Sequence, residues 1–220
     1  ASGLPQGCSV WPAFWTVGSD WPNNGEIDII EYVNTDSVIQ TTLHTNAGCD
    51  QSSEDTSTFS GSWGRTYENQ PSDNCDVNAP GQYSNAGCGI IGAPSTVGNA
   101  FNQNGVKGGV FAMEWEVDTA IRVFYFPRDR IPWDLSSGNP QPDSWGKPYA
   151  RFQLDGSCPS SHFQNHQIVF DTTFCGDWAG STFASSCGSS VSCSDFVRFN
   201  PKEFSDAYWL INHVTLFNRC

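Results

Sequence analysis

Asn24-Gly25-Glu26-Ile27-Asp28-Ile29-Ile30-Glu31-Tyr32-Val33 sets three carboxylates among β-branched apolar residues, in a stretch that reads as a buried strand. Strand side chains alternate between faces, so Glu26 and Asp28 share one face while Ile27 and Ile29 take the other. Strict alternation would send Glu31 to the wrong side. One extra residue, a β-bulge at Ile29 or Ile30, restores the parity and gathers all three acids on a single face. Carboxylates so placed repel one another, which separates their pKa values, one staying ionised while another keeps its proton near neutral pH. Retaining glycoside hydrolysis needs such a pair, a carboxylate nucleophile and a carboxylic acid about 5 Å apart across the scissile bond. A generic acidic strand is more often solvated or metal-binding; here the flanking Ile29 and Ile30 and the parity argument favour the buried set.

Upstream, Trp11, Phe14 and Trp15 alternate with small residues before Trp21 and the turn signal Pro22-Asn23-Asn24-Gly25. Taken singly, such tryptophans are core residues. Trp21 is the exception, because it lies at the mouth of a loop where an indole face is free to stack on a sugar ring. Downstream, residues 38–45 read as the hairpin partner of the acidic strand, with Gln40, Thr42 and His44 on one side and Ile39, Thr41 and Leu43 on the other. His44 then stands beside the acids, as a hydrogen-bond donor to Asp28 or to a sugar hydroxyl.

Residues 46–105 are rich in Ser, Asn, Gly and Gln and carry Cys49, Cys75 and Cys88, the pattern of a long stapled loop walling the cleft, with Trp63 or Tyr67 against substrate. Residues 109–116 and 121–126 form the clearest hairpin. Its acids Glu114 and Glu116 lack a clustered partner and read as structural or exposed, and Arg128 and Arg130 beyond it as partners for the acidic surface. Residues 152–156 and 167–174 read as strands. Gly176 and Gly180 bracket Trp178 on a turn, Pro201 opens a helical turn, and residues 207–217 return as a strand with Trp209, Ile211 and Phe217 on one face.

A net charge of −13 and a pI near 4.4 disfavour nucleic acid and anionic membranes as partners, while a neutral polymer remains acceptable. No apolar run reaches the length of a membrane-spanning helix. The nine cysteines form no CxxC pair or zinc-type spacing, so they read as disulfides made in an oxidising compartment, with one left over. Ala1 follows no secretory leader, as expected of a mature or trimmed chain of the secretory route. With no GxSxG and no glycine-rich phosphate loop, serine-nucleophile and nucleotide chemistry have no anchor.

The run Glu26-Ile27-Asp28-Ile29-Ile30-Glu31 resembles the E-x-D-x-x-E signature of glycoside hydrolase family 16, in the bulged form of its laminarinase-type branch. Trp11-Pro12-Ala13-Phe14-Trp15, Leu43-His44-Thr45, the stretch Phe170-Asp171-Thr172-Thr173-Phe174-Cys175-Gly176-Asp177-Trp178-Ala179-Gly180 and residues 208–217 sit where fungal members carry similar segments. The resemblance thus spans nearly the whole chain. It implies Glu26 as nucleophile, Glu31 as general acid/base and Asp28 as the residue that hydrogen-bonds and tunes the nucleophile. It also implies a sugar-stacking tryptophan at Trp15 or Trp21, and exposure of Trp178 to ligand.

The fold expected is all-β, a concanavalin-like β-jelly-roll sandwich of two curved antiparallel sheets. It forms one catalytic domain over residues 1–220, without the strands that family members carry before the tryptophan-rich segment, as in an N-terminally truncated chain. The activity expected is that of a secreted, retaining endo-β-1,3(4)-glucanase, a monomer acting on β-glucan polysaccharide without a cofactor. A non-catalytic β-glucan-binding sandwich and a transglycosylase using the same acids are the alternatives.

Overall fold

The computed structural model describes residues 1–94, 96–97, 101–102 and 108–218. Among these, nine strands pair antiparallel in two sheets: β1 (Val10–Val17), β2 (Glu26–Glu31), β3 (Val38–His44), β4 (Ser62–Trp63), β5 (Cys88–Pro94), β6 (Gly109–Glu116), β7 (Ala120–Pro127), β8 (Ala150–Gln153) and β9 (Gln167–Phe174). The larger sheet runs β4-β5-β3-β2-β1-β9 and the smaller β6-β7-β8. Alternation decides the faces. Ile27, Leu43 and Ile90 of the larger sheet are fully buried against Ile121, Val123 and Phe152 of the smaller one, leaving the opposite side of β2 and β3 to Glu26, Asp28, Gln40, Thr42 and His44. Tyr149 ties the layers together, its hydroxyl donating to the Ile29 carbonyl and meeting the Thr41 hydroxyl.

The β2 register carries the expected bulge. On β1, consecutive residues Phe14 and Trp15 pair with Ile30 and Asp28, so Ile29 is the extra residue. On β3, the step from Thr42 to Gln40 spans Asp28 to Glu31. Both Ile29 and Ile30 turn into the core, and the cost of the interrupted ladder is offset by their burial.

The all-β, curved jelly roll is corrected in two respects. The two sheets do form a sandwich, but neither is closed or strongly curled, and 20% of the described residues are helical. Curl accumulates strand by strand through interstrand twist; the smaller sheet has three strands and the larger ends in the two-residue β4. Helices whose bounds lie among the described residues are α1 (Trp133–Ser136), α2 (Gly176–Cys187) and α3 (Cys193–Phe199). Where glycine spacing around Trp178 predicts a turn, α2 forms because Ala179 and Phe183, four residues apart, bury one face, and Gly188 ends it in the left-handed conformation. α3 starts at Ser192, whose side chain accepts from the Asp195 N–H.

Residues 207–217 form no strand. Their described pairing is the single bridge Gly3–Leu210, and Trp209 docks on Phe170 while its indole donates to the Asp171 carbonyl. Alternating apolar residues make a strand only beside a partner edge that completes the ladder. The long loop expected over residues 46–105 instead contributes β4 and β5, and Trp63 is core, packed edge-on against Phe59 and Phe152. Disulfides join Cys8–Cys187, Cys49–Cys158, Cys75–Cys88 and Cys175–Cys193. The ninth cysteine, Cys220, lies outside the described residues.

Candidate active site

Gly25 sets the entry into the site. Its φ of +71° and the 2.5 Å between an added Cβ and the His162 carbonyl leave room for no side chain, and its carbonyl accepts from the Gly18 N–H. His166 pins the same loop, with Nδ1 2.8 Å from the Thr16 hydroxyl and Nε2 2.8 Å from the Asn24 carbonyl. The chain therefore enters β2 rigidly, and the bulge at Ile29 brings Glu31 to the face of Glu26 and Asp28.

Cross-strand pairing builds the rest. Glu26 lies opposite His44, Asp28 between Trp15 and Thr42, and Glu31 between Ala13 and Gln40. His44 Nε2 is 3.1 Å from Asp28 Oδ2, and the Trp11 indole donates to Glu31 Oε1 at 2.8 Å. Trp21 is 45% exposed at the cleft mouth, its indole N–H beside the Glu26 carboxyl. Trp15 is half-buried; it favours the ionised form of Asp171, although its N–H lacks a hydrogen bond of good geometry. Trp178 stands at the start of α2, edge-on to Trp11. Thus Glu26, Asp28, Glu31 and His44 converge, Trp15 and Trp21 border them, and Trp178 joins through Trp11.

Two residues of this face lie in segments that carry the family resemblance but are not singled out there as site residues. Asp171 on β9 pairs with Ala13, and Trp11 reaches Glu31 from β1. The alternation within Trp11, Ala13 and Trp15 is the one signal for Trp11. Elsewhere, Glu114 is structural as expected, paired with Arg122 in the smaller sheet.

All three acids hold their protons more tightly than free carboxyls. Burial, then the Asp28 charge, raises Glu26 to about 8, while the Trp21 N–H opposes. Burial raises Asp28 and, with the Asp28 charge added, Glu31; for Glu31, the Trp11 N–H and His44 pull the other way. Glu26 and Asp28 share a hydrogen bond that favours the proton on Glu26. A pair of coupled carboxyls in a low-dielectric wall thus carries less charge than its count of acids. Glu26, Asp28 and His44 are also the group of described residues that brings three metal-type donors within 4.8 Å of one another. A cation there would have to displace the proton that Glu26 and Asp28 share.

These shifts fix a pH dependence of stability. A carboxyl whose folded pKa is raised binds its proton better in the fold, so the stabilisation is full below the unfolded value of 4.5 and is lost as pH rises toward about 8 for Glu26. Glu26→Gln removes the titrating group. Its Tm should match that of the wild type near pH 4 and exceed it at pH 8 by several degrees, the raised pKa setting an upper bound of about 4 kcal/mol on the difference. Equal melting temperatures at both pH values would refute the burial account.

A family model described as the XgeA-like catalytic domain of glycoside hydrolase family 16 matches residues 1–217. An endo-1,3(4)-β-glucanase of Arthroderma benhamiae is 42% identical over 221 residues, covering 98% of this chain and 46% of that protein. Laminarinase 16A from Phanerochaete chrysosporium, solved with 6-O-glucosyl-laminaritriose in donor and acceptor sites, is 40% identical at a TM-score of 0.81, covering 94% of this chain and 67% of that one. An elongating family 16 β-1,3-glucosyltransferase is 38% identical at a TM-score of 0.80, with the same 94% and 67% coverage. The chain spans about half the length, or less, of the curated relatives it matches.

Proposed function

The chain belongs to glycoside hydrolase family 16, and from that premise we propose that it is a secreted, retaining endo-β-1,3(4)-glucanase cutting laminarin-type chains. The observation that carries the reading is the bulge at Ile29, which sets Glu31 on the face of Glu26 and Asp28 beside His44. The four disulfides suit folding in an oxidising compartment. Among the described residues no helix is long and apolar enough to cross a membrane.

In the first step Glu31, as carboxylic acid, gives its proton to the glycosidic oxygen while the Glu26 carboxylate attacks the anomeric carbon. The C–O bond breaks and the leaving chain departs as an alcohol. In the second step Glu31, now carboxylate, takes a proton from water, whose oxygen displaces Glu26 and leaves the anomeric configuration unchanged overall. Attack requires an ionised Glu26. The Glu26–Asp28 hydrogen bond supplies the route, since the shared proton moves onto Asp28 as substrate enters, and Asp28 then donates to the nucleophile. The proton returns from Asp28 to Glu26 when water displaces the sugar, and His44 stands against Asp28 with Nε2 3.1 Å from Oδ2.

Trp21 offers an exposed indole face to a sugar ring. Trp21→Ala should raise KM for laminarin by roughly 3–10-fold, the loss of one aromatic contact; an unchanged KM would remove Trp21 from the binding surface. The reading as a whole is tested by product release from laminarin, lichenan and a β-1,4-glucan, with the anomer of the first product followed by NMR. Oligosaccharides released from laminarin as the β-anomer are expected. Binding without products would favour a glycan-binding module, and the α-anomer would exclude the double displacement.

A second reading follows from the likeness to the elongating β-1,3-glucosyltransferase. The same acids serve when a sugar hydroxyl replaces water in the second step. Products longer than laminaritetraose, made from that substrate alone, identify this route.

A further inference from the structure

Residues remote from the acids hold the indole that donates to Glu31. Trp11 lies on β1 two residues before Ala13, the cross-strand partner of Glu31, and its N–H reaches Oε1 at 2.8 Å. The start of α2 clamps its ring. Trp178 meets it edge-on, with centroids 5.8 Å apart and planes at 84°. Gly176, at φ +65°, presses its backbone to the ring so closely that a Cβ would come within 2.9 Å of Cζ3 and 3.0 Å of Cε3.

The helix itself is pinned to the strand that carries the acids. Cys175, just before Gly176, is bonded to Cys193, and Cys187 at the other end of α2 to Cys8, three residues before Trp11. Asn34, three residues past Glu31, accepts from the Ser9 N–H with its Oδ1 and donates from Nδ2 to the Ala179 carbonyl and the Thr182 hydroxyl of α2. Movement of α2 relative to the end of β2 would break the Asn34 hydrogen bonds. The clamp on Trp11 is thereby referred to the backbone of Glu31.

We propose that Gly176 and Trp178 are positioning residues for Glu31, the start of α2 fixing the Trp11 indole in the orientation that donates to the carboxyl. The assignment rests on the glucanase reading for what Glu31 does and goes beyond it in placing control of that group on a helix that acts through Trp11. Glu31 is faced by Glu26 and Asp28 from β2, His44 from β3 and Trp11 from β1, with Asp171 of β9 acting on Asp28. The acids favour its proton, and His44 and the Trp11 N–H favour its release. Of these, the Trp11 contact is the one that depends on α2. Loss of that donor destabilises the carboxylate, so the pH at which Glu31 loses its proton must rise.

The test compares Trp11→Phe, Gly176→Ala, Trp178→Leu and Trp178→Phe with the wild type. The Glu31 titration is followed by NMR on protein labelled with 13C at the glutamate carboxyl, assigned with Glu31→Gln, and the pH profile of kcat/KM is measured on laminarin. Trp11→Phe should raise the Glu31 midpoint and the alkaline limb together by about 0.5–1 pH unit. Gly176→Ala and Trp178→Leu should move both in the same direction, and Trp178→Phe, which keeps an aromatic edge, should restore most of the wild-type value. A lower melting temperature in Gly176→Ala and Trp178→Leu with the midpoint and limb unmoved would reduce both to structural residues and overturn the proposal. Should Gly176→Ala fail to fold, Trp11→Phe and the Trp178 pair carry the same test. The NMR titration needs no substrate, so absence of turnover would defeat the glucanase reading while leaving the positioning claim open to its own result.

Discussion

Glu26→Ser is expected to lower laminarin hydrolysis by roughly 10⁴-fold or more, the scale on which loss of a covalent nucleophile is felt, while binding of laminarin persists. The serine hydroxyl is shorter and is not ionised, so no glycosyl-enzyme forms. Rescue gives the sharper result. Azide is small enough to enter the space the carboxylate leaves and, with an activated aryl β-glucoside of laminaribiose, should attack the anomeric carbon from that side and release an α-glycosyl azide. The product is inverted because one displacement has replaced two. Residual hydrolysis above a few per cent, or a β-azide, would remove Glu26 from the nucleophile's role.

Glu31→Ala should produce the complementary pattern. Loss of a general acid/base lowers turnover of laminarin by roughly 10²–10⁴-fold, because a poor alcohol leaving group needs its proton. An aryl glycoside with a good leaving group needs none, so its first step should survive and the glycosyl-enzyme on Glu26 should accumulate. Azide then attacks that intermediate and yields the β-glycosyl azide. Opposite anomers from the two variants distinguish the roles without reference to any relative. Equal losses on both substrates, with no azide product, would instead make Glu31 a structural acid like Glu114.

Much of this site was legible because its determinants are local. The parity of Glu26, Asp28 and Glu31, the need for a bulge at Ile29 or Ile30, and the hairpin that sets His44 beside them all follow from a two-residue side-chain period over about twenty positions. The structure has the bulge at Ile29 and pairs His44 with Glu26. The same reasoning failed wherever a pattern was compatible with several partners. Residues 207–217 alternate like a strand, but among the described residues they form only the bridge from Leu210 to Gly3. Gly176 and Gly180 punctuate like a turn, yet burial of Ala179 and Phe183 makes a helix. Of Trp63 and Tyr67, the two candidates for contact with substrate, Trp63 fills the core and Tyr67 is exposed.

The sequence by itself determined which acids share a face, which histidine accompanies them and which cysteines are available to bridge, because alternation and residue chemistry are properties of the chain. Tertiary structure alone decided that Asp171 joins the cleft from β9, that Trp11 donates to Glu31 and that α2 clamps Trp11, since each depends on a pairing between segments from 20 to about 170 residues apart. It also decided the protonation of the acids. Repulsion within the triplet was visible in the sequence, but the largest cause of the raised pKa values is burial, and loss of water depends on what the rest of the fold packs around the three carboxyls.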